Sequence, residues 1–488
     1  MKKFLVSALL AGSALVAHAQ EEPAALTDSV TRKLFQVQSQ VLPNGLHVIR
    51  HHRDTSDTFT AQLVVEVGLQ DFPCKTQQAP HLLEHMLFEG TQRFDRKALR
   101  QRIRDHGGLS NGFTKEEYTH YTFDIHSDYP DIALDTLYSM MSEPLFNAAD
   151  METSRQVIHA ELGTSSNQLQ LALAGKRVLT SVAKARIYTG SNLECPNITT
   201  PDSISLKRIK TIFEQHYVPA NMTLILLGHF DDTRIDQLLQ QTFAQLPARA
   251  PTPRAPVEFA AINYNPLQEK RAIFDPEVDV HLFIPAVGSI DPAHNSYQIA
   301  AEYLGEQLFY DVRGQRGMAY TPQALVDNNS QYGYLQATTR TSDRWYDDVV
   351  HLFQEKYAQL RQQGVPQADV ERLRQKLILE FESKQRDNAE LAQVYRHYRH
   401  IIRAKGSMPD LVALLQQVDA AQVKADIDRH FPEKPLLAIL RPPTTKEILL
   451  RIGPPALLLG GIGVVLLRWS HRRRMKTTLT ASNAAAKK

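Results

Sequence analysis

The stretch LPARAPTPRAPVEF, residues 246–259, is dense in proline and alanine. Such a composition reads as a linker between folded parts. A chain of 488 residues is too long for one ordinary domain, and this linker divides its body in two. Each part carries its elements in the same order. The first opens with the strand patterns GLHVIRHH and AQLVVEVG, followed by an apolar helix from residue 81 and a helix over RKALRQRIRDHGG. A strand pair around YTHYTFDIH and long helical stretches from Tyr129 to about Ala185 come next. The strand MTLILLGHF and a helix over RIDQLLQQTFAQL close it. The second part repeats this coarsely, with strands KRAIFD and DVHLFIPA, a helix over SYQIAAEYLGEQLFYDV, the strand YGYLQATT, and long helices from Trp345 to Leu415. These blocks predict an α+β fold of two domains, residues 30–247 and 255–442. In each, helices pack on one face of a mainly antiparallel sheet.

Both ends of the chain read differently. MKKFLVSALLAGSALVAHAQ has a charged start at Lys2 and Lys3, a short apolar run, and the small-x-small site Ala17-His18-Ala19. That is the pattern of a secretory signal peptide, residues 1–19. An uncleaved anchor is the competing reading. Near the other end, ILLRIGPPALLLGGIGVVLLRW, residues 448–469, is long enough to span a bilayer when Ile448 to Leu450 are counted. Arg451 can snorkel and Trp469 suits the interface. Arg468, Arg472, Arg473, Arg474 and Lys476 follow as the positive-inside signal. This predicts one C-terminal transmembrane helix and a basic cytoplasmic tail, residues 470–488, with the body in the periplasm or another extracytoplasmic space. A buried core helix is the alternative.

The net charge of +2 gives no broad basic field and argues against a nucleic-acid role. The two cysteines, Cys74 and Cys195, are not in a C-x-x-C pair and get no metal role. An oxidising compartment allows a disulfide between them. Two free buried thiols fit the sequence equally, since it cannot show whether their Cα atoms come within reach.

The chemistry concentrates in HLLEHMLFEG, residues 81–90. On a helix, His81 and His85 are one turn apart on one face and can address one ion. Glu84 lies at the edge of that face. A catalytic zinc takes three protein ligands and keeps one position open, with a non-ligand carboxylate nearby as base. H-x-x-E-H, the reverse of H-E-x-x-H, supplies two ligands and that base. Leu82, Leu83, Met86, Leu87 and Phe88 make the rest of the helix apolar, so unpartnered histidines there would be costly and a shared metal resolves the cost. Glu161, in a helical pattern whose apolar side is Val157, Ile158, Ala160 and Leu162, is a candidate third ligand.

The chain resembles the pitrilysin/insulinase family of zinc peptidases, the inverted zincins, over roughly residues 38–442. HLLEHMLFEGTQRF is similar to the family's zinc helix throughout. The family's third ligand lies about 76 residues past the second histidine, which is Glu161 here. SNGFTKEEYTHYTFD, residues 110–124, resembles the family's edge-strand segment through Asn111, Thr114, Thr119 and Tyr121. FEQHYVPANMTLILLGHFD resembles the end of its first half, and VRGQRGMAY its Arg/Tyr element, with Arg313 and Tyr320.

The resemblance implies one Zn2+ per chain, held by His81, His85 and Glu161, with Glu84 as general base. It implies substrate contacts from Arg313 and Tyr320, and an edge strand at Asn111 and Thr114 that receives an extended peptide. It makes the second half a duplicated domain without a metal. It also implies a homodimer, or a heterodimer with a related chain, because two chains complete a four-domain chamber. A membrane-anchored zinc metalloendopeptidase is the expected function, and a non-catalytic scaffold or partner subunit the alternative. Two departures stand out. Ser154 occupies a position where the family often has a ligand-orienting glutamate. The residues before His81 read QQAP rather than Gly-rich, with Pro80 at the helix start.

Overall fold

The computed structural model describes residues 37–54, 56–164, 195, 199–254, 264–270, 277–384, 387–444 and 447. The expected signal peptide, transmembrane segment and basic tail lie outside the described residues. Among the described residues, no helix is long and apolar enough to cross a membrane.

The first half forms a sheet from β1 (Gln38–Val41), β2 (His47–His52), β3 (Thr58–Val65), β4 (Leu109–Thr114), β5 (Thr119–His126) and β6 (Met222–Gly228). Its order is β1-β2-β6-β3-β5-β4. The second half uses β7 (Leu267–Lys270), β8 (Glu277–Val287), β9 (Gln323–Asn328), β10 (Tyr332–Ser342) and β11 (Leu436–Arg441). Its order is β7-β11-β8-β10-β9. Apart from β1 the two orders superimpose strand for strand. Each sheet is antiparallel except for one corresponding pair, β2 with β6 and β7 with β11. The strand expected over KRAIFD ends at Lys270, and residues 271–276 lie outside the described residues.

The helices of the first half are α1 (Ala79–Leu87), α2 (Arg96–Arg104), α3 (Pro130–Ser142), α4 (Ala148–Glu161), α5 (Leu206–His216) and α6 (Asp232–Gln241). The second half has α7 (His294–Leu308), which runs into a π-helical turn over Phe309–Gln315. It continues with α8 (Tyr346–Gln363), α9 (Gln367–Lys384), α10 (Asn388–Lys405), α11 (Leu411–Gln416) and α12 (Ala420–His430). The stretch expected to be helical to about Ala185 is followed as far as α4, and residues 165–194 lie outside the described residues.

The expectation of helices on one face of each sheet needs one correction. The first sheet is covered on both faces. One face packs on α1, α3 and their neighbours in a large core. On the other face Ile49, Val64, Ile225 and Leu227 meet Leu391, Ala392, Tyr395 and Ile402 of α10, a helix from the second half. In β6, MTLILLG, Leu224 to Leu227 are apolar without alternation, and every position of the strand is buried. A strand buried on both faces has that pattern. Arg399 of α10 clamps Glu66 at the end of β3 with two bonds, 2.5 and 2.6 Å long. Arg254, at the end of the linker's described part, holds Asp71 at 2.7 and 2.8 Å. The linker is therefore tied to the first half rather than hanging free.

A second correction concerns α4. Val157 was expected on its apolar side but is 42% exposed, and Ala160 is exposed too. The buried positions are Met151, Ser154 and Ile158. Steps of three and four along that stripe lead to Glu161. The true inner face of α4 is what aims Glu161 at α1.

Candidate active site

The apolar residues Leu82, Leu83, Met86 and Leu87 of α1 are fully buried. Their burial fixes the roll of the helix, and the opposite edge presents His81 and His85 toward the end of α4. Three atoms converge there. His81 Nε2 lies 3.3 Å from His85 Nε2. Glu161 Oε2 lies 3.3 Å from the first and 3.5 Å from the second. A tetrahedral zinc with bonds of about 2.0–2.1 Å holds its ligand atoms roughly 3.3–3.4 Å apart. The triangle therefore fits such an ion, and among the described residues no fourth His, Cys, Asp or Glu joins it. Burial, together with the neighbouring His85, holds His81 down to about 4, outweighing Glu161. Burial likewise lowers His85. Both rings are thus neutral near pH 7, the form that ligates metals.

Glu84 points toward the edge strand β4. It is only 6% exposed, and its Oε2 accepts a 2.8 Å hydrogen bond from Thr114 Oγ1. Burial pushes its carboxyl up to about 7, with the Thr114 bond opposing and the Glu161 charge adding to the rise. A carboxyl in that range can take a proton and return it near neutral pH. Gly112 makes this position available. A Cβ there would come within 2.9 Å of Glu84 Cγ and Oε1 and of Phe88 Cε2. β4 passes so close to α1 that any side chain at 112 would displace the acid.

The entry to α1 carries a residue that the motif does not reveal. Gln78 precedes the helix, and its buried side chain makes no helix cap. Its Oε1 instead lies 2.9 Å from His81 Nδ1, while its Nε2 donates to Thr199 Oγ1 at 3.0 Å. Cys74 and Cys195 are disulfide-bonded with Cα atoms 5.5 Å apart, which settles the pairing that the sequence leaves open. The bond ties the turn before α1 to the segment that carries Thr199.

The remaining expected site residues are placed elsewhere. Asn111 is exposed, and its Oδ1 accepts from the Gly112 N–H at 3.0 Å. It alternates with Gly112 along β4, so it lies on the face turned away from α1. Arg313 and Tyr320 come together, with the guanidinium 4.4 Å from the Tyr320 ring centre and 5.1 Å from that of Phe309. Tyr320 is 74% exposed. Among the described residues, no hydrogen bond or ion pair joins this pair to His81, Glu84, His85 or Glu161.

With fold and geometry in hand, two family models match in tandem. "Insulinase (Peptidase family M16)" covers residues 47–197, and "Peptidase M16 inactive domain" covers residues 203–377. An uncharacterized zinc protease of Streptomyces coelicolor is 22% identical over 431 residues, 84% of this chain and 91% of that one. A probable mitochondrial-processing peptidase subunit beta of Arabidopsis thaliana is 25% identical over 208 residues, 42% of this chain and 38% of its own. The crystal structure of a peptidase M16 inactive domain from Pseudomonas fluorescens superimposes with a TM-score of 0.72 at 18% identity, covering 84% of this chain and 98% of that one. At that identity the likeness is one of fold. The chain belongs to the pitrilysin/insulinase family, as a half-size member with two domains.

Proposed function

We propose that this chain is a zinc metalloendopeptidase that hydrolyses peptides or unfolded segments outside the cytoplasm. The observation that carries the reading is the convergence of His81, His85 and Glu161 on one point, with Glu84 buried beside them and not part of the triangle. His81, His85 and Glu161 would hold the ion. The chemistry zinc supplies when bound is polarisation of the scissile carbonyl and acidification of water. Glu84 takes the proton of the attacking water and delivers it to the leaving amine. Thr114 holds one carboxylate oxygen of Glu84, Oε2, by its hydroxyl. β4 is the last strand of its sheet, and its open edge can receive an extended peptide through main-chain hydrogen bonds. Asn111 and Thr114 belong to that receiving strand.

Arg313, half-buried, and the exposed Tyr320 form a cationic pair suited to a substrate carbonyl or a developing oxyanion. Among the described residues no hydrogen bond or ion pair joins them to His81, Glu84, His85 or Glu161, which supports a second subunit, a copy or a related chain, whose site they complete. A fully active monomer would remove this part of the proposal. Membrane anchoring through residues 448–469 and a periplasmic body are supported by the apolar run, the basic tail and the leader pattern at residues 1–19. The Cys74–Cys195 bond adds support, since such bonds persist in oxidising compartments.

One observation favours a non-catalytic, scaffolding subunit instead. Ser154 is 1% exposed and its hydroxyl has no hydrogen-bond partner among the described residues, where family resemblance would place a carboxylate. The two readings part in one experiment. Full-length protein in detergent, with its zinc content measured, is given a pool of unstructured peptides beside its Glu84→Gln form. Cleavage by the first and at least a hundredfold less by the second, at equal zinc, is the expected result. Equal inactivity of both, at full zinc occupancy and with the Arg313/Tyr320 partner supplied, gives the scaffold reading the lead.

A further inference from the structure

Resting on the zinc reading above, we infer that Gln78 is a positioning residue for the metal site. Its carbonyl oxygen fixes the His81 tautomer that leaves Nε2 free to ligate, at the end of a relay through Thr199 and Gln77.

The relay has a direction. Thr199 Oγ1 lies 3.0 Å from Gln77 Oε1 and donates to it. A hydroxyl has one proton, so toward Gln78 it can only accept. Gln78 Nε2 donates to it at 3.0 Å. That sets the Gln78 amide the right way round, and its Oε1 faces His81 Nδ1 at 2.9 Å. A carbonyl oxygen only accepts, so Nδ1 carries the proton. A neutral imidazole has one N–H, which leaves a lone pair on Nε2. That is the atom 3.3 Å from both His85 Nε2 and Glu161 Oε2. The reversed amide would present its NH2 to Nδ1, move the proton to Nε2 and block ligation.

Three further features point the same way. Gln78 is 6% exposed, so its amide has little water to fall back on. The residue before a helix usually caps the first free N–H groups, whereas Gln78 makes no such bond and turns its amide to His81. Ahead of Glu161 on the inner stripe of α4, Ser154 offers no carboxylate to take over, and its hydroxyl is unpartnered among the described residues. The Cys74–Cys195 bond brackets the relay, three residues before Gln77 and four before Thr199. It keeps the two segments in register.

The test is zinc affinity of the full chain, measured by competition with a chromogenic chelator, together with the melting temperature of each variant. Gln78→Leu should bind zinc about 10–100-fold more weakly, the usual effect of losing a partner that orients a ligating histidine. Gln78→Glu, which keeps an acceptor toward Nδ1, should match or exceed the wild type. Thr199→Val, which frees the amide to rotate, should fall between. In zinc-free protein labelled with 15N-histidine, the His81 proton should sit on Nδ1 and shift toward Nε2 in Gln78→Leu. Folded Gln78→Leu within twofold of wild-type affinity overturns the inference. So does Gln78→Glu weakened as far as Gln78→Leu, or a wild-type His81 protonated on Nε2. If the wild type binds no zinc at all, the zinc reading fails instead, and the tautomer alone then decides whether the relay stands.

Discussion

The two halves of the molecule solve the same packing problem in opposite ways. In each, the helix that follows the long central strand lies against the sheet's edge strand, α1 against β4 and α7 against β9. Both contacts are close enough to require a glycine. In the second half the glycine is on the helix. A Cβ on Gly305 would come within 2.9 Å of the Ala324 backbone nitrogen, so its absence lets α7 settle directly on β9. In the first half the glycine is on the strand, at Gly112, and the space it leaves is filled by Glu84. Moving the missing side chain from helix to strand converts a tight apolar contact into a pocket for a buried acid. One frame thus holds the proposed zinc site or goes without it according to which partner gives up its Cβ.

The largest effect expected from breaking this arrangement is at the joint between the halves. Arg399→Ala leaves the largely buried Glu66 without its guanidinium, with only His400 at 3.5 Å remaining close to its carboxylate, a loss of up to about 3–5 kcal/mol in buried pairs. A drop of that size in unfolding free energy by denaturant titration is the check. The same pair sets a pH dependence. Burial alone would raise Glu66 from its ordinary 4.5, but Arg399 outweighs it and holds the carboxyl at about 2. The folded state therefore binds this proton less readily than the unfolded one. Its contribution is fully present above pH 4.5 and is lost as the pH falls toward 2. In Arg399→Ala that loss should shrink or disappear from the stability–pH curve.

Next in size is the disulfide, which only the first half carries. Cys74→Ala with Cys195→Ala opens a loop of 121 residues, worth about 2–4 kcal/mol in typical cases. His81, Glu84, His85 and Glu161 all lie inside that loop, so zinc affinity should fall along with the melting temperature. The second half's own core should keep its amide-exchange protection. The glycine pair gives the smallest and sharpest contrast. Gly112→Ala should lower kcat by about 10–100-fold at unchanged zinc content, since Glu84 must move while the three ligands need not. Gly305→Ala should do the reverse, costing about 1–3 kcal/mol of stability by overpacking with kcat per folded molecule retained. Equal consequences from both substitutions would erase the distinction between the halves.

Much of this frame is legible in the sequence because it is written in repeated patterns. The element order on either side of the linker already contains the two matching sheets, and the apolar run Leu224–Leu227 of β6 is the pattern of a strand buried on both faces. The proposed ligand pair His81 and His85 follows from helical spacing alone. Glu161 needed the family's separation, because α4, AADMETSRQVIHAE, holds so few large apolar residues that a wrong stripe through Val157 reads as well as the true one. Gly112 left a faint trace, a glycine inside a strand pattern, which marks a close approach. Gln78 left none. Its importance lies in contacts with Thr199, 121 residues away, and glutamine is an ordinary residue at a surface turn. The disulfide, too, depends on a distance that no spacing encodes.

The most direct measurement is the zinc content of purified full-length protein and of its Glu161→Ala and His85→Ala forms, with X-ray absorption at the zinc edge. One zinc per chain is expected, bound through two nitrogens and at least one oxygen at about 2.0–2.1 Å. Both variants should hold it far more weakly. Zinc retained undiminished in both variants, or absent from the metal-supplied wild type, would contradict the assignment of His81, His85 and Glu161 as its ligands.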